Sequence, residues 1–137
     1  MDSVINARSA KFLARRAELR RIGAFVEQFC AETAVPREKC LRLNVVLEEL
    51  FVNTVTHGHR EDTDAPVWVT LESKAGPAAP GVQVTYEDTA PAFNPLAYQV
   101  EMGKVGGLGV LLTRELADSR DYAYVFRRNR IRLSLAA

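Results

Sequence analysis

The sequence predicts an α+β fold, a two-layer α/β sandwich in which a mixed, largely antiparallel sheet is covered on one face by three helices. Two long segments before residue 60, and one after residue 105, carry apolar residues at helical intervals of three and four. Two pairs of segments alternate apolar and polar residues, near residues 67–87 and 122–135. The order helix, helix, strand pair, loop, helix, strand pair is typical of this class.

The chain is short and nearly neutral. Its 137 residues predict a single domain, residues 1–137. Because 18 Lys and Arg stand against 17 Asp and Glu, the formal net charge is +1, and no general field draws the chain to nucleic acid or to an anionic membrane. It also lacks an apolar run of about eighteen residues. We therefore expect no direct nucleic-acid partner and no membrane association.

The two cysteines, Cys30 and Cys40, have neither the spacing of a redox pair nor the partners of a zinc site. Both lie among apolar residues with helical periodicity. We expect buried, reduced thiols, which fits a cytoplasmic location.

The first helical pattern follows a short β-prone start at residues 3–7 and begins at about Ser9. It ends before Pro36, because a residue that precedes proline avoids the helical region. The apolar positions are Phe12, Leu13, Leu19, Ile22, Phe25, Val26 and Phe29. A basic cluster on the other faces, Arg15, Arg16, Arg20 and Arg21, is either a solvated face or a docking surface for an acidic partner.

The second helical pattern spans residues 43–58 and ends at Gly58. Its predicted core stripe is Leu43, Val46, Leu47, Leu50 and Thr54. Glu49 and Asn53 lie one turn apart, so their side chains project in the same direction. Such a pair can serve a hard cation and a proton transfer at one place, although a solvated face has the same spacing. Glu48 should point elsewhere.

Two strand pairs follow. The first is predicted as a hairpin of residues 67–72 and 82–87, after which Asp88 stands at a strand end. The second consists of residues 122–127 and 130–135, with Arg128 and Asn129 in the turn.

Between the strand pairs, Gly106, Gly107 and Gly109 precede an apolar periodic segment, residues 110–117. Unpaired N–H groups at such a helix start can bind phosphate, although the same glycines can form a tight packing turn. A nucleoside triphosphate with a divalent ion would use this turn, the Glu49 and Asn53 pair and the Asp88 carboxylate together.

These motifs resemble a known family. Glu49-x-x-x-Asn53 with His57-Gly58, then Asp88-Thr89-Ala90-Pro91-Ala92-Phe93-Asn94-Pro95, and then Gly106-Gly107-Leu108-Gly109 are similar to the three ATP-binding motifs of the GHKL superfamily, which has the Bergerat fold. Within it, the short length and the element Pro91-x-Phe93-Asn94-Pro95-Leu96 look most like the anti-sigma factor serine/threonine protein kinases, of the HATPase_c-like type.

The resemblance implies ATP and Mg²⁺ as cofactors and assigns roles to residues. Glu49 would be the catalytic base, Asn53 the metal ligand and Asp88 the acceptor for the adenine amino group. The resemblance also implies a lid over the nucleotide at about residues 94–105. The remaining cofactor-binding residues would be Ala90 and Phe93 of the adenine motif, Lys104 of this lid, and Gly106, Gly107, Leu108 and Gly109 of the phosphate turn. His57 would either steer phosphate or simply end its helix.

The resemblance also implies partners: a homodimer that binds a sigma factor or similar regulatory protein and phosphorylates a serine of a STAS-domain antagonist. Two other functions stay open, an ATP-binding regulator that sequesters its partner and the ATP-binding part of a split histidine kinase. The sequence departs from the usual motifs at two places. Ala90 stands where the family has glycine, and Asn129 and Arg130 stand where its last strand often has threonine.

Overall fold

The computed structural model describes residues 3–75, 81–93 and 119–136. These form one five-stranded sheet in the order β1-β2-β3-β5-β4, with every described pair of strands antiparallel. The strands are β1 (Ser3–Leu13), β2 (Pro66–Ala75), β3 (Gly81–Asp88), β4 (Ser119–Val125) and β5 (Arg128–Ala136). The helices are α1 (Leu19–Thr33) and α2 (Arg37–Asn53), with a 3₁₀ turn at Arg16–Glu18 and a π-helical turn at Thr54–His59.

The core lies between the two α-helices and one face of the sheet. Buried apolar side chains of α1 and α2 pack in one cluster with the inward residues of the strands. This arrangement confirms the predicted α+β sandwich. Two α-helices occur in the described residues where three were predicted for the whole chain, and the third predicted helix, residues 110–117, lies outside them.

The hairpin of β2 and β3 forms as predicted. Val67, Val69 and Leu71 are fully buried on the helix side of β2, and β3 alternates buried and partly exposed residues along its whole length. The register pairs Val67 with Asp88. Alternation therefore turns Asp88 toward the helices, although it is charged.

The beginning of the chain differs from the prediction. A helix was expected from about Ser9, but β1 continues to Leu13 and pairs with β2 over its whole length, with one irregularity near Val4 and Asn6. The Ala, Arg, Lys and Leu residues here favour a helix locally, but pairing with β2 and burial of Phe12 outweigh that preference.

This shift also divides the predicted basic cluster. Only Arg20 and Arg21 lie on α1, whereas Arg15 and Arg16 precede it. Arg15 contacts Asp64 at 2.6 Å and Arg16 contacts Asp62 at 3.3 Å, both in the loop before β2. The four arginines therefore do not form one helical face, because two of them tie this loop to the end of β1.

The second helix confirms the predicted core stripe, and all five of its members are buried. The α-helix ends at Asn53, and the π-helical turn extends helical structure to His59. The left-handed residue at its end is Arg60, at φ 67°, rather than Gly58. Cys30 and Cys40 are buried free thiols, as expected, and burial, with Cys40 as the next cause, raises the pKa of Cys30 to about 12.

The turn between the closing strands is shifted from its predicted place. Phe126 and Arg127 form it, with positive φ values of 53° and 62°. In two-residue hairpin turns, these backbone conformations are usually adopted by Asn-Gly. Arg128 and Asn129 are instead the first residues of β5. Asn129 consequently faces the helices on the same side of the strand as Ile131.

The described residues contain neither a membrane-spanning helix nor a metal-binding cluster. No helix there is long and apolar enough to cross a membrane. No group of three or more His, Cys, Asp or Glu side chains there could hold a metal ion.

The position of Phe12 in β1 can be tested by substitution. Phe12→Ala should lower the free energy of unfolding by about 3–5 kcal/mol in chemical denaturation, because a buried aromatic side chain is lost. Lys11→Ala, at the neighbouring exposed position, should change it by about 0.5 kcal/mol or less. Equal costs for the two variants would contradict the described register.

Candidate functional site

A pocket lies where the end of α2 and its π-helical turn face the ends of β3 and β5. The pocket is partly open, and a water-sized sphere can occupy a volume of about 30 Å³ within it, which is room for one or two water molecules. The described residues thus form a floor that can receive one edge of a ligand. The lining residues are Leu50, Asn53, Thr54, Gly58, Tyr86, Asp88, Ala90, Pro91, Phe93, Asn129 and Ile131.

Thr54 joins the helix to the sheet at this floor. Its hydroxyl lies 2.6 Å from Asp88 Oδ2 and 2.6 Å from the Tyr86 hydroxyl. Because Thr54 has one proton and a charged acceptor is the stronger partner, it donates to Asp88 and accepts from Tyr86. Burial is the main cause that raises the pKa of Tyr86 well above its ordinary value, and the nearby charge of Asp88 adds to it. Tyr86 therefore remains a donor.

Asp88 is a buried carboxylate, 7 % exposed, with no ion pair among the described residues. Neutral donors surround it instead. Its Oδ1 accepts from Asn129 Nδ2 at 2.8 Å and from the Ala90 backbone N–H at 3.2 Å. Oδ2 accepts from Thr54. Such bonds offset the cost of removing the carboxylate from water.

Asn129 holds the segment that follows β3. Its Nδ2 donates to Asp88 Oδ1, to the Ala90 carbonyl at 3.0 Å and to the Pro91 carbonyl at 3.2 Å. Its Oδ1 accepts from the Phe93 N–H at 3.0 Å and from the Tyr122 hydroxyl. Since acceptors surround Nδ2 and donors surround Oδ1, the orientation of the carboxamide is determined.

The sequence prediction missed Asn129 by placing it in a turn. A signal was present, because Ile131, Leu133 and Leu135 face the core, and extending their alternation by one step places Asn129 on the same face. Thr54 was predicted only as part of the core stripe, although it is the polar centre of the floor.

Gly58 and Ala90 are in close contact. A Cβ added at Gly58 would lie 2.7 Å from the Cβ of Ala90, closer than two carbon atoms can approach without a shift. The role of Gly58 is therefore spatial rather than conformational. It leaves room for the methyl group that stands where the related motifs have glycine.

Glu49 and Asn53 occupy the same side of α2, as predicted. Asn53 lines the pocket, and both side chains are partly buried whereas Glu48 is exposed. Neither Glu49 nor Asn53 has a hydrogen bond or ion pair within the described residues. Burial, assisted by the neighbouring charge of Glu48, raises the pKa of Glu49, which makes it a stronger base than an exposed glutamate.

The structure thus places Asn53, Asp88, Ala90 and Phe93 around one pocket, with Glu49 a turn away from Asn53. His57 is exposed on the π-helical turn, and its two suggested roles stay open. Five further predicted site residues lie outside the described residues and stay predictions: Lys104, Gly106, Gly107, Leu108 and Gly109.

Comparison with known families agrees with this geometry. Residues 12–135 match the family described as the histidine kinase-like ATPase domain. The match covers most of the chain, and the protein therefore belongs to this GHKL-type family of ATP-binding domains. A comparison with curated proteins gave no match.

The contact between Gly58 and Ala90 predicts a coupled pair of substitutions. Gly58→Ala should lower the free energy of unfolding by about 1–3 kcal/mol, because the added methyl overpacks a filled site, although alanine is the better helix former. Adding Ala90→Gly to Gly58→Ala should recover most of that loss in denaturation measurements. Simple addition of the two single-variant effects would contradict the contact.

The raised pKa of Glu49 predicts a pH-dependent change in stability. At pH values above 4.5, the ordinary pKa of glutamate, the Glu49 side chain is ionised more fully in the unfolded chain than in the folded chain. The folded protein therefore loses stability relative to the unfolded chain as the pH rises through the folded pKa of Glu49. Glu49→Gln should therefore unfold at a higher temperature than the wild type at pH 7, with the gain vanishing near pH 4. Glu48→Gln removes only the neighbouring charge, which is the lesser cause of the raised pKa of Glu49, and should give a smaller gain in unfolding temperature. A Glu49→Gln protein that is less stable at pH 7 would contradict the shift.

Proposed function

We propose that this protein binds ATP with Mg²⁺ and transfers the γ-phosphate to a serine of a protein partner, as anti-sigma factor serine/threonine kinases do. The observation that carries the proposal is the buried Asp88 carboxylate, which shares one pocket with Asn53, while Glu49 lies a turn away on the same helix. Membership of the histidine kinase-like ATPase family supports ATP as the ligand.

Asp88 supplies the acceptor for the base. Among the described residues, Thr54 alone donates a hydrogen bond to Oδ2 of Asp88, and a carboxylate oxygen can accept two. The exocyclic amino group of adenine is a donor of matching chemistry. Leu50 and Ile131 supply apolar surface beside this position, which suits a flat ring.

Asn53 fits a magnesium ligand. Its carboxamide is unbonded within the described residues and lines the pocket, and Mg²⁺ needs only one or two protein oxygens, with phosphates and water completing its octahedron. Mg²⁺ held there would neutralise charge on the phosphates during transfer.

Glu49 fits the general base. A base transfers protons most effectively when its pKa is close to the working pH, and partial burial moves the pKa of Glu49 in that direction. In phosphoryl transfer the protein mainly positions the groups and neutralises charge. Glu49 would accept the proton of the incoming serine hydroxyl. The serine oxygen would form a bond to the γ-phosphorus as the bond between the γ-phosphorus and the bridging oxygen of the β-phosphate breaks.

For the substrate we propose a serine of a STAS-domain antagonist, and for the regulated partner a sigma factor or a similar protein bound by a homodimer. The resemblance of the short chain and of its Pro91-x-Phe93-Asn94-Pro95-Leu96 element to the anti-sigma kinases supports these assignments. Sequestration of the partner without phosphorylation is the competing function, and the same experiment separates the two.

The test combines nucleotide binding with phosphotransfer. The wild type should bind ATP in the presence of Mg²⁺ by isothermal titration and pass labelled γ-phosphate to the proposed STAS-domain substrate. Glu49→Gln should lower the transfer rate about 10²–10⁴-fold with little change in the Kd of ATP. Glu48→Gln, one position away and exposed, should stay within about threefold, since surface changes are small.

Three results would count against the proposal. Absence of binding at millimolar ATP would show that ATP is not the ligand. Equal losses of the transfer rate in Glu49→Gln and Glu48→Gln would reject Glu49 as the base. Binding of ATP by a wild type that transfers no phosphate would favour sequestration.

A further inference from the structure

We propose that Asn129 makes the site select adenine over guanine, by covering one oxygen of Asp88 and leaving that carboxylate a single open acceptor. The inference rests on the proposed function, because it concerns the base of the bound nucleotide. It assigns a positioning role to a residue that acts through Asp88.

The acceptor capacity of Asp88 can be counted. A carboxylate has about four lone-pair sites, two on each oxygen. Oδ1 uses both, for Asn129 Nδ2 at 2.8 Å and for the Ala90 N–H at 3.2 Å. Oδ2 uses one, for Thr54 at 2.6 Å. Within the described residues, one acceptor site is open, and it lies on Oδ2.

The two purines make different demands on a carboxylate. Adenine presents one exocyclic N–H group on its Watson–Crick edge, beside an acceptor nitrogen. Guanine presents two neighbouring donors, N1–H and the N2 amino group, which match the two oxygens of a carboxylate in a bidentate pair. A carboxylate with one open acceptor therefore satisfies adenine, whereas one donor of guanine would be left unpaired, which is costly in a desolvated site.

The covering carboxamide is held firmly in place. Its contacts use the whole capacity of an asparagine side chain, because Oδ1 accepts two hydrogen bonds and the two N–H groups of Nδ2 are shared among three acceptors. Asn129 is only 5 % exposed, and the sheet register places it directly opposite Asp88. It cannot turn away from Oδ1 without breaking contacts to the Ala90 and Pro91 carbonyls as well.

The first experiment uses the wild type and compares ATP, GTP and inosine triphosphate in competition binding with Mg²⁺. Inosine triphosphate differs from GTP only by lacking the N2 amino group. With one open acceptor that group would be left unpaired in a desolvated site, so GTP should bind at least about tenfold more weakly than ATP and no more tightly than inosine triphosphate.

The second experiment changes Asn129. Asn129→Ala opens one acceptor site on Oδ1, so GTP should gain about tenfold over inosine triphosphate, as expected for one added charge-assisted hydrogen bond. Tyr122→Phe is the matched control. It removes a donor from the other end of the same carboxamide but leaves Oδ1 of Asp88 covered, so the ratio of GTP to inosine triphosphate affinity should stay unchanged even if all affinities fall.

The outcomes separate this inference from the proposed function. A wild type that binds no nucleotide rejects the proposed function and the inference with it. A wild type that binds ATP but prefers GTP to inosine triphosphate tenfold overturns the inference alone. An unchanged ratio in a folded Asn129→Ala protein also overturns it, and if that variant does not fold, the wild-type comparison still decides.

Discussion

The buried carboxylate of Asp88 is the constraint on which the rest of the site depends. A charge removed from water is costly unless donors surround it, and here three separate segments each bring one. Thr54 comes from the turn after α2, the Ala90 N–H from the turn after β3, and Asn129 from β5. Loss of any donor would leave a charged group undersolvated, so the same bonds that prepare a ligand site also hold helix, loop and sheet together.

The antiparallel register explains how distant parts of the chain meet at this carboxylate. Asp88 is paired with Val67 on one side and with Asn129 on the other, and the alternation of side chains turns both polar residues toward the helices. The π-helical turn then places Thr54 over them, with its hydroxyl also 3.1 Å from the Leu50 carbonyl. Irregular helical turns of this kind are frequent at functional sites.

The sequence carries the patterns of the hairpin, of α2 and of Asp88 and Asn53, because each depends on local periodicity or on a short motif. The sequence carries little information about features that depend on the pairing of strands. Residues 9–13 favour a helix by composition, and pairing with β2 makes them a strand. Asn129 looked like a turn residue because Arg-Asn suits a turn better than Phe-Arg, yet the left-handed turn falls on Phe126 and Arg127. Such choices are fixed by the whole sheet and not by neighbours in sequence.

The contact between Gly58 and Ala90 makes the residue tolerated at position 58 depend on the residue at position 90. A methyl group at position 58 would lie 2.7 Å from the Cβ of Ala90, so only one of the two positions can carry a methyl group without a shift of the surrounding chain. The helical turn after α2 and the segment after β3 therefore cannot be altered independently at this point, although the two positions lie 32 residues apart in the sequence.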